Sequence, residues 1–250
     1  MYNDAMHHLS TWPPQWKIAA SIIGLLILIG LGVALQRTGL GGGRAPNLFG
    51  IQSAPSLTRA VSYSKDLAPD ARDLVEKHIN DLRAQLKGNP TRYDTWLDLA
   101  IRYKQAGDFA KTREVWEYLA SIHPDDAVSR HNLGDLYHHF LKDYQNAEKY
   151  YKEAIDLAPT NALDYLALHE LYRYSYKQDT GAAIDILKLG IGRVTEHQPI
   201  DLYIALAGYY GEKADKAKAA ENYSKARDLA RDAGNTKLVS ELNAEIQRLR

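Results

Sequence analysis

Residues 93–124 read YDTWLDLAIRYKQAGDFAKTREVWEYLASIHP, and residues 127–159 read AVSRHNLGDLYHHFLKDYQNAEKYYKEAIDLAP. Laid over one another, the two stretches share a pattern. Trp96, Leu99, Ala100 and Tyr103 precede Gly107-Asp108-Phe109 and, one helix later, Pro124; Leu133, Gly134 and Tyr137 precede Asp143-Tyr144, then Ala147, Tyr151, Ala154 and Pro159. Pro90, Pro124 and Pro159 mark the period, lying 34 and 35 residues apart. Steps of three and four put Trp96, Leu99 and Tyr103 on one face of a helix. Ala100 and Gly134 fall on its flank, where a second helix must approach closely. Ala147 and Ala154 repeat that arrangement around the bulkier Tyr151 on the second helix. A helix pair of this kind cannot bury its apolar face alone, so the core is completed by stacking neighbours.

The Trp-x-x-Leu-Ala-x-x-Tyr run, its Leu-Gly-x-x-Tyr counterpart, the later Ala-x-x-x-Tyr and the closing proline resemble the tetratricopeptide repeat family closely. The resemblance implies an all-α chain: a tetratricopeptide-type α-solenoid of antiparallel helix pairs, with a C-terminal capping helix. It implies a domain over 66–250, with a half-repeat at 70–90 and repeats at about 91–124, 125–159, 160–199 and 200–233, closed by a capping helix at 236–250. The half-repeat helix is expected to carry Leu74, Ile79, Leu82 and Leu86 as its apolar stripe, with Asp70 as cap. The third repeat departs from the pattern. Tyr165, Leu168 and Tyr172 fit, but His169 stands where the family prefers a small residue, the loop around 174–180 is long, and the next proline is Pro199. The fourth repeat returns with Tyr203, Leu206, Ala207, Tyr210, Ala219, Tyr223 and Ala226. Leu238, Leu242, Ile246 and Leu249 form the inner stripe of the last helix, whose other face is polar, as a terminal cap requires.

Upstream, residues 1–17 form a polar tail containing Trp12 and Trp16. Residues 18–35 then run eighteen positions without a charge. As a helix that run spans about 27 Å, close to the hydrocarbon thickness of a bilayer. The tryptophans fall where an interface belt would be, and Lys17 and Arg37 bracket the run. A cleaved signal peptide is the competing reading. The run is long for one, the preceding segment is long and contains Pro13-Pro14, and no good small-x-small site follows closely. The expected element is a single-pass anchor, with residues 36–65 as a Gly/Pro/Ser linker. Positive charge is nearly balanced across the anchor. The arrangement resembles a bacterial-type signal anchor, which places the repeat domain on the extracytoplasmic side. Ala20 with Gly24, and Gly30 with Ala34, are small-residue pairs through which two anchors can associate weakly.

Composition removes several function classes. Lys+Arg and Asp+Glu are both 31, so no bulk attraction to nucleic acid is expected. With Cys 0 there are no disulfides, thiolate metal sites or cysteine nucleophiles. No Gly-x-Ser-x-Gly occurs, and the Gly run at 41–43 lacks the Gly-Lys-Ser/Thr of a phosphate loop. The chain reads as a non-enzyme that calls for no cofactor. The strongest local cluster is His131, Asp135, His138 and His139. Steps of four and three put the first three on one helix face, which keeps a metal or enzymatic site open as an alternative.

Tetratricopeptide domains present ligand contacts on the first helix of each repeat. Carried over by resemblance, those positions are Leu97, Ile101 and Lys104, then His131, Asp135, His138 and His139, then Leu166, Glu170 and Arg173. The implied function is a membrane-tethered scaffold that holds a protein or peptide partner in this groove. A chaperone-type adaptor for peptide segments is a further alternative. The family's carboxylate clamp is not expected, because Leu97 and Ile101 replace its polar residues.

Overall fold

A computed structural model describes residues 52–178, 180–194 and 199–250. The expected tail 1–17, the expected membrane span 18–35 with its small-residue pairs, and the first part of the expected linker lie outside the described residues. Among the described residues, no helix is long and apolar enough to cross a membrane. Ten α-helices are present among them, and no strand.

α1 (Pro69–Gly88) is the helix of the half-repeat. It starts on Pro69, whose fixed φ and missing N–H suit the first helical position. The cap position is therefore Ala68, and Asp70 lies inside the first turn rather than capping. Val75, Ile79 and Leu86 are its buried residues, while Leu74, expected in the stripe, is 55% exposed; the stripe is rotated by one residue at its N-terminal end.

Four helix pairs follow. The first is α2 (Tyr93–Ala106) with α3 (Phe109–Ile122). The second is α4 (Ala127–Asp135), continued by a π-helical segment Leu136–Leu141, with α5 (Tyr144–Leu157). The third is α6 (Ala162–Glu170), continued by a π-helical segment Leu171–Ser175, with α7 (Ala182–Arg193). The fourth is α8 (Ile200–Glu212) with α9 (Lys216–Asp232), and α10 (Thr236–Arg248) packs on α9. Leu242 and Ile246 are buried on α10, and Asn235 caps it through the Leu238 N–H. α7 ends at Arg193; the further turn toward His197 falls on residues outside the described ones.

One turn joins first to second helix in three of the pairs. A residue in the left-handed region is followed by an Asp that caps the next helix: Gly107-Asp108, Lys142-Asp143 and Ala214-Asp215, with φ of 86°, 55° and 59°. The Asp N–H returns to a tyrosine carbonyl, Asp108 to Tyr103 at 2.9 Å, Asp143 to Tyr137 at 3.0 Å and Asp215 to Tyr210 at 2.9 Å. The second repeat holds one residue more between tyrosine and aspartate than the first and fourth. That residue is the thirty-fifth of the longer period, and the helix takes it up by widening into its π-helical segment.

In the first three repeats the first helix is pinned to the turn that precedes it. Trp96 Nε1 donates to the Pro90 carbonyl at 2.8 Å, and Tyr165 Oη donates to the Pro159 carbonyl at 2.8 Å. Arg130 holds this column in the second repeat, and its guanidinium reaches the Asp126 carbonyl at 2.8 Å and those of His123 and Ala120 at 3.4 Å. Three unlike side chains thus satisfy carbonyls of the turns between one repeat and the next. Close approach is set by small residues. A Cβ on Gly134 would lie 2.5 Å from the Tyr151 ring, and one on Gly190 would lie 2.7 Å from the Tyr165 ring. His169 fits the small-residue column because its ring is buried and its Nδ1 pairs with the Ala183 carbonyl at 2.8 Å.

The described part of the expected linker is a docked strap rather than free chain. Residues 52–64 run along α3 in the opposite sense. The Gln52 N–H donates to Ser121 Oγ at 3.0 Å, Arg59 pairs with Glu114 at 2.6 Å, and the Ser62 N–H donates to Asp108 Oδ2 at 2.9 Å. The Ser64 N–H reaches the Ala106 carbonyl at 2.7 Å, and Leu57, Val61 and Tyr63 pack on the core.

Candidate partner-binding wall

The first helices α2, α4, α6 and α8 lie side by side, and their matched faces are tied from one helix to the next. From α2, Lys104 Nζ reaches Asp135 Oδ2 on α4 at 3.4 Å. From α4, His131 Nδ1 meets Asp164 Oδ1 on α6 at 2.7 Å. Past α6, Arg173 Nε donates to Glu212 Oε2 on α8 at 3.1 Å, with a second contact between Nη2 and Oε1. These bonds link four of the sequence-predicted positions, Lys104, His131, Asp135 and Arg173, to the neighbouring first helix. They also change the roles of the wall's polar members, which are largely engaged with each other.

Each expected site residue has a definite place. Leu97, Ile101 and Leu166 are half-buried and pack on the core. Lys104 is also 5.7 Å from the Trp116 ring and 5.6 Å from the Phe140 ring, a cation held over two aromatic faces. Asp135 takes a second partner, His139 Nε2 at 3.4 Å. Glu170 is exposed and has no partner among the described residues. Arg173 additionally lies over the Tyr174 and Tyr209 rings.

His138 is not in the groove. The π-helical segment turns it inward to 3% exposure, where Nε2 pairs with Ser175 Oγ at 3.1 Å and Nδ1 has no partner. His131, Asp135 and His138 therefore do not converge. Among the described residues, no group of three His, Cys, Asp or Glu side chains is placed to hold a metal ion. The α-helical spacing that suggested convergence is broken at Leu136, one residue past Asp135.

The histidines titrate in opposite senses. The hydrogen bond to Asp164 raises His131 above the usual imidazole value, against the effect of its partial burial. Burial lowers His138 to about 4, with His139 and Lys142 nearby adding to the effect. Burial also lowers His169.

Several wall residues escaped the sequence reading. Asp94, Val128, Leu163 and Asp201 lie three residues before Leu97, His131, Leu166 and Ile204, one helical turn earlier on the same face. Val128 and Leu163 are 52% and 63% exposed. Extending the helical period by one turn would have found them. Asp164 is wholly buried and also accepts from Asn161 Nδ2 at 2.8 Å. Its column in the repeats reads Thr95, Ser129, Asp164 and Leu202, all buried, so a carboxylate there was a signal for a fixed partner. Ser175 and Glu212 lie at helix ends, where the repeat period gives no guide.

The arrangement is that of a tetratricopeptide-like, all-helical solenoid. The family described as tetratricopeptide repeat matches residues 127–161, the second repeat. The pre-mRNA-splicing factor cwf4 of Schizosaccharomyces pombe is 30% identical over 132 residues, covering 48% of this chain. The match spans 19% of that protein's length, so the chain corresponds to a small part of it. Among solved structures, a crystal structure of MamA aligns with 67% of this chain and 92% of its own at a TM-score of 0.50. Identity there is 21%, a likeness of fold.

Proposed function

We propose that this protein is a non-enzymatic scaffold that holds a protein or peptide partner on the wall formed by α2, α4, α6 and α8. The observation that carries this reading is the wall itself: four first helices locked in register by Lys104–Asp135, His131–Asp164 and Arg173–Glu212, with apolar side chains left exposed beside the bonds. A surface already locked needs little ordering when a partner binds, which favours affinity. The tetratricopeptide match and the fold likeness support the same reading. Residues 18–35 tether the scaffold to a membrane as a single-pass anchor, with the repeat domain on the extracytoplasmic side. The support for the anchor is the uncharged run and the tryptophans before it, and the support for the side is the resemblance to a bacterial-type signal anchor.

Two experiments test the reading. Affinity capture with the full chain identifies the partner, and Val128→Ser/Leu163→Ser should weaken that complex about tenfold or more, while Lys237→Ala on α10 leaves it unchanged. Equal affinity in both variants would move the site off the wall. For the tether, Leu26→Arg/Leu28→Arg should shift the chain from the membrane to the soluble fraction; a wild type already in the soluble fraction ends that part of the proposal.

A further inference from the structure

Resting on the wall as the binding surface, we infer that its partner is a cationic amphipathic segment: leucine-like side chains on one face, flanked by lysine or arginine. The argument starts from which charges on the wall are already neutralised. Its permanent cations are Lys104 and Arg173, and each is paired within the wall, to Asp135 and Glu212. His131 is held by the buried Asp164, and His139 shares Asp135 with Lys104. The carboxylates that remain, Asp94, Glu170 and Asp201, are exposed and have no partner among the described residues. They stand on α2, α6 and α8, so the unneutralised charge is of one sign along much of the wall.

This excess is local. The whole chain carries 31 acidic and 31 basic residues, so general electrostatics do not produce it. Apolar surface accompanies the acid groups. Val128 and Leu163 are exposed, and Leu97, Ile101, Leu166 and Ile204 are half-buried on the same faces. A neutral apolar segment would leave the three carboxylates facing it without counter-charge. An acidic one would meet like charge with no free cation to receive it. Of the segment chemistries, the cationic amphipathic one complements both features.

The probe is a pair of synthetic peptides of about eighteen residues with the same leucine spacing, one carrying lysine and one carrying glutamate at the remaining positions. Fluorescence anisotropy with the full chain should show binding of the lysine peptide, weakening at least about tenfold between about 0.05 and 0.5 M salt, and no binding of the glutamate peptide. Asp94→Asn/Glu170→Gln/Asp201→Asn should weaken the lysine peptide about tenfold or more with unchanged circular dichroism. Equal binding of the two peptides, preference for the glutamate peptide, or no binding of either overturns the charge assignment. If the lysine peptide binds but resists both this triple variant and Val128→Ser/Leu163→Ser, the wall itself is not the site, and the proposed function falls with it.

Discussion

The His131 imidazole and the Asp164 carboxylate meet at 2.7 Å across the seam between the second and third repeats, with the carboxylate wholly buried and the imidazole 32% exposed. Neither residue carries the contact alone. Asp164 is buried because its column in the repeat faces inward, and it is tolerated there because His131 and Asn161 both bond to it.

Removing His131 leaves that buried acceptor short of a partner, so His131→Ala should cost about 1–3 kcal/mol. A double-mutant cycle with Asp164→Ala isolates the pair. Because the folded-state value of His131 is raised, the proton-linked part of the coupling is fully present below pH 6.5, the ordinary imidazole value, and is lost as pH rises through the raised folded value. Urea unfolding of the four proteins at pH 6 and pH 9 should give a larger coupling at pH 6. A coupling independent of pH would mean the pair does not bind a proton on folding.

His138 should act in the other direction. In the unfolded chain it takes a proton below about pH 6.5, whereas in the fold burial holds it neutral down to about 4. Its contribution is therefore lost as pH falls through that window, on the order of 1–3 kcal/mol by pH 4. His169, also lowered, adds to the same limb. His138→Gln keeps a group able to bond Ser175 and cannot charge. Between pH 7 and 4.5 its unfolding midpoint should fall less than that of the wild type. Parallel loss in the two proteins would assign the acid limb to other groups.

Much of the fold was legible because it repeats. The columns Trp96/Tyr165, Leu99/Leu133/Leu168/Leu206 and Ala100/Gly134/Ala207 are spaced by a period that local sequence carries without help from distant residues. The positions of Leu97, Ile101, Leu166, Glu170 and Arg173 on the wall follow from the same period. What failed did so where the period is broken. The extra residue between Tyr137 and Asp143 could have lengthened the loop or widened the helix. Hydrogen bonding chose the helix, and that choice turned His138 inward. The strap was missed for a different reason. Serine, proline and glycine around it read as linker, while its contacts, Ser62 to Asp108 and Gln52 to Ser121, join residues far apart in sequence.

Tyr151 carries a buried hydroxyl with no hydrogen-bond partner, and its ring occupies the space that Gly134 leaves. Tyr151→Phe removes an unsatisfied polar atom without removing the ring, so it should leave stability unchanged or raise it by about 1 kcal/mol. Gly134→Ala places a methyl inside the ring's contact distance and should cost about 1–3 kcal/mol. Thermal denaturation of the two variants should thus show opposite or unequal shifts. A marked loss in Tyr151→Phe would reveal a partner for the hydroxyl.

Ala214 adopts a φ of 59° in a turn where the first repeat has Gly107 at 86°. A left-handed alanine carries a steric cost that glycine does not. Ala214→Gly should therefore stabilise by about 0.5–1 kcal/mol, and Gly107→Ala should destabilise by about 1–2 kcal/mol. The second loss is compounded by Ser64, whose Cβ would lie 3.0 Å from the added methyl. Chemical denaturation midpoints report both. A destabilised Ala214→Gly would show that this turn is not left-handed in solution.

The strap makes a prediction about truncation. A fragment beginning at residue 66 contains every helix of the described residues, and on sequence grounds it retains the whole repeat core. The structure shows what it would lack. Asp108 caps α3 through the Lys111 N–H at 3.1 Å, binds Lys111 Nζ at 2.7 Å, and receives the Ser62 N–H at 2.9 Å. Burial works to raise this carboxyl, but the Lys111 side chain and the Ser62 and Lys111 N–H groups outweigh it and hold the group below the usual range. Removing residues 52–65 takes away one of those donors, the Arg59–Glu114 pair and the cover that Leu57, Val61 and Tyr63 give the core. The fragment 66–250 should remain helical yet unfold at a lower denaturant concentration than 52–250, by about 2–4 kcal/mol from lost apolar cover and hydrogen bonds together. Asp108→Asn in the longer fragment should reproduce part of that loss, since it weakens the cap and the strap contact while leaving the apolar contacts in place. Equal midpoints for 52–250 and 66–250 would mean that the strap lies on the first repeat without stabilising it.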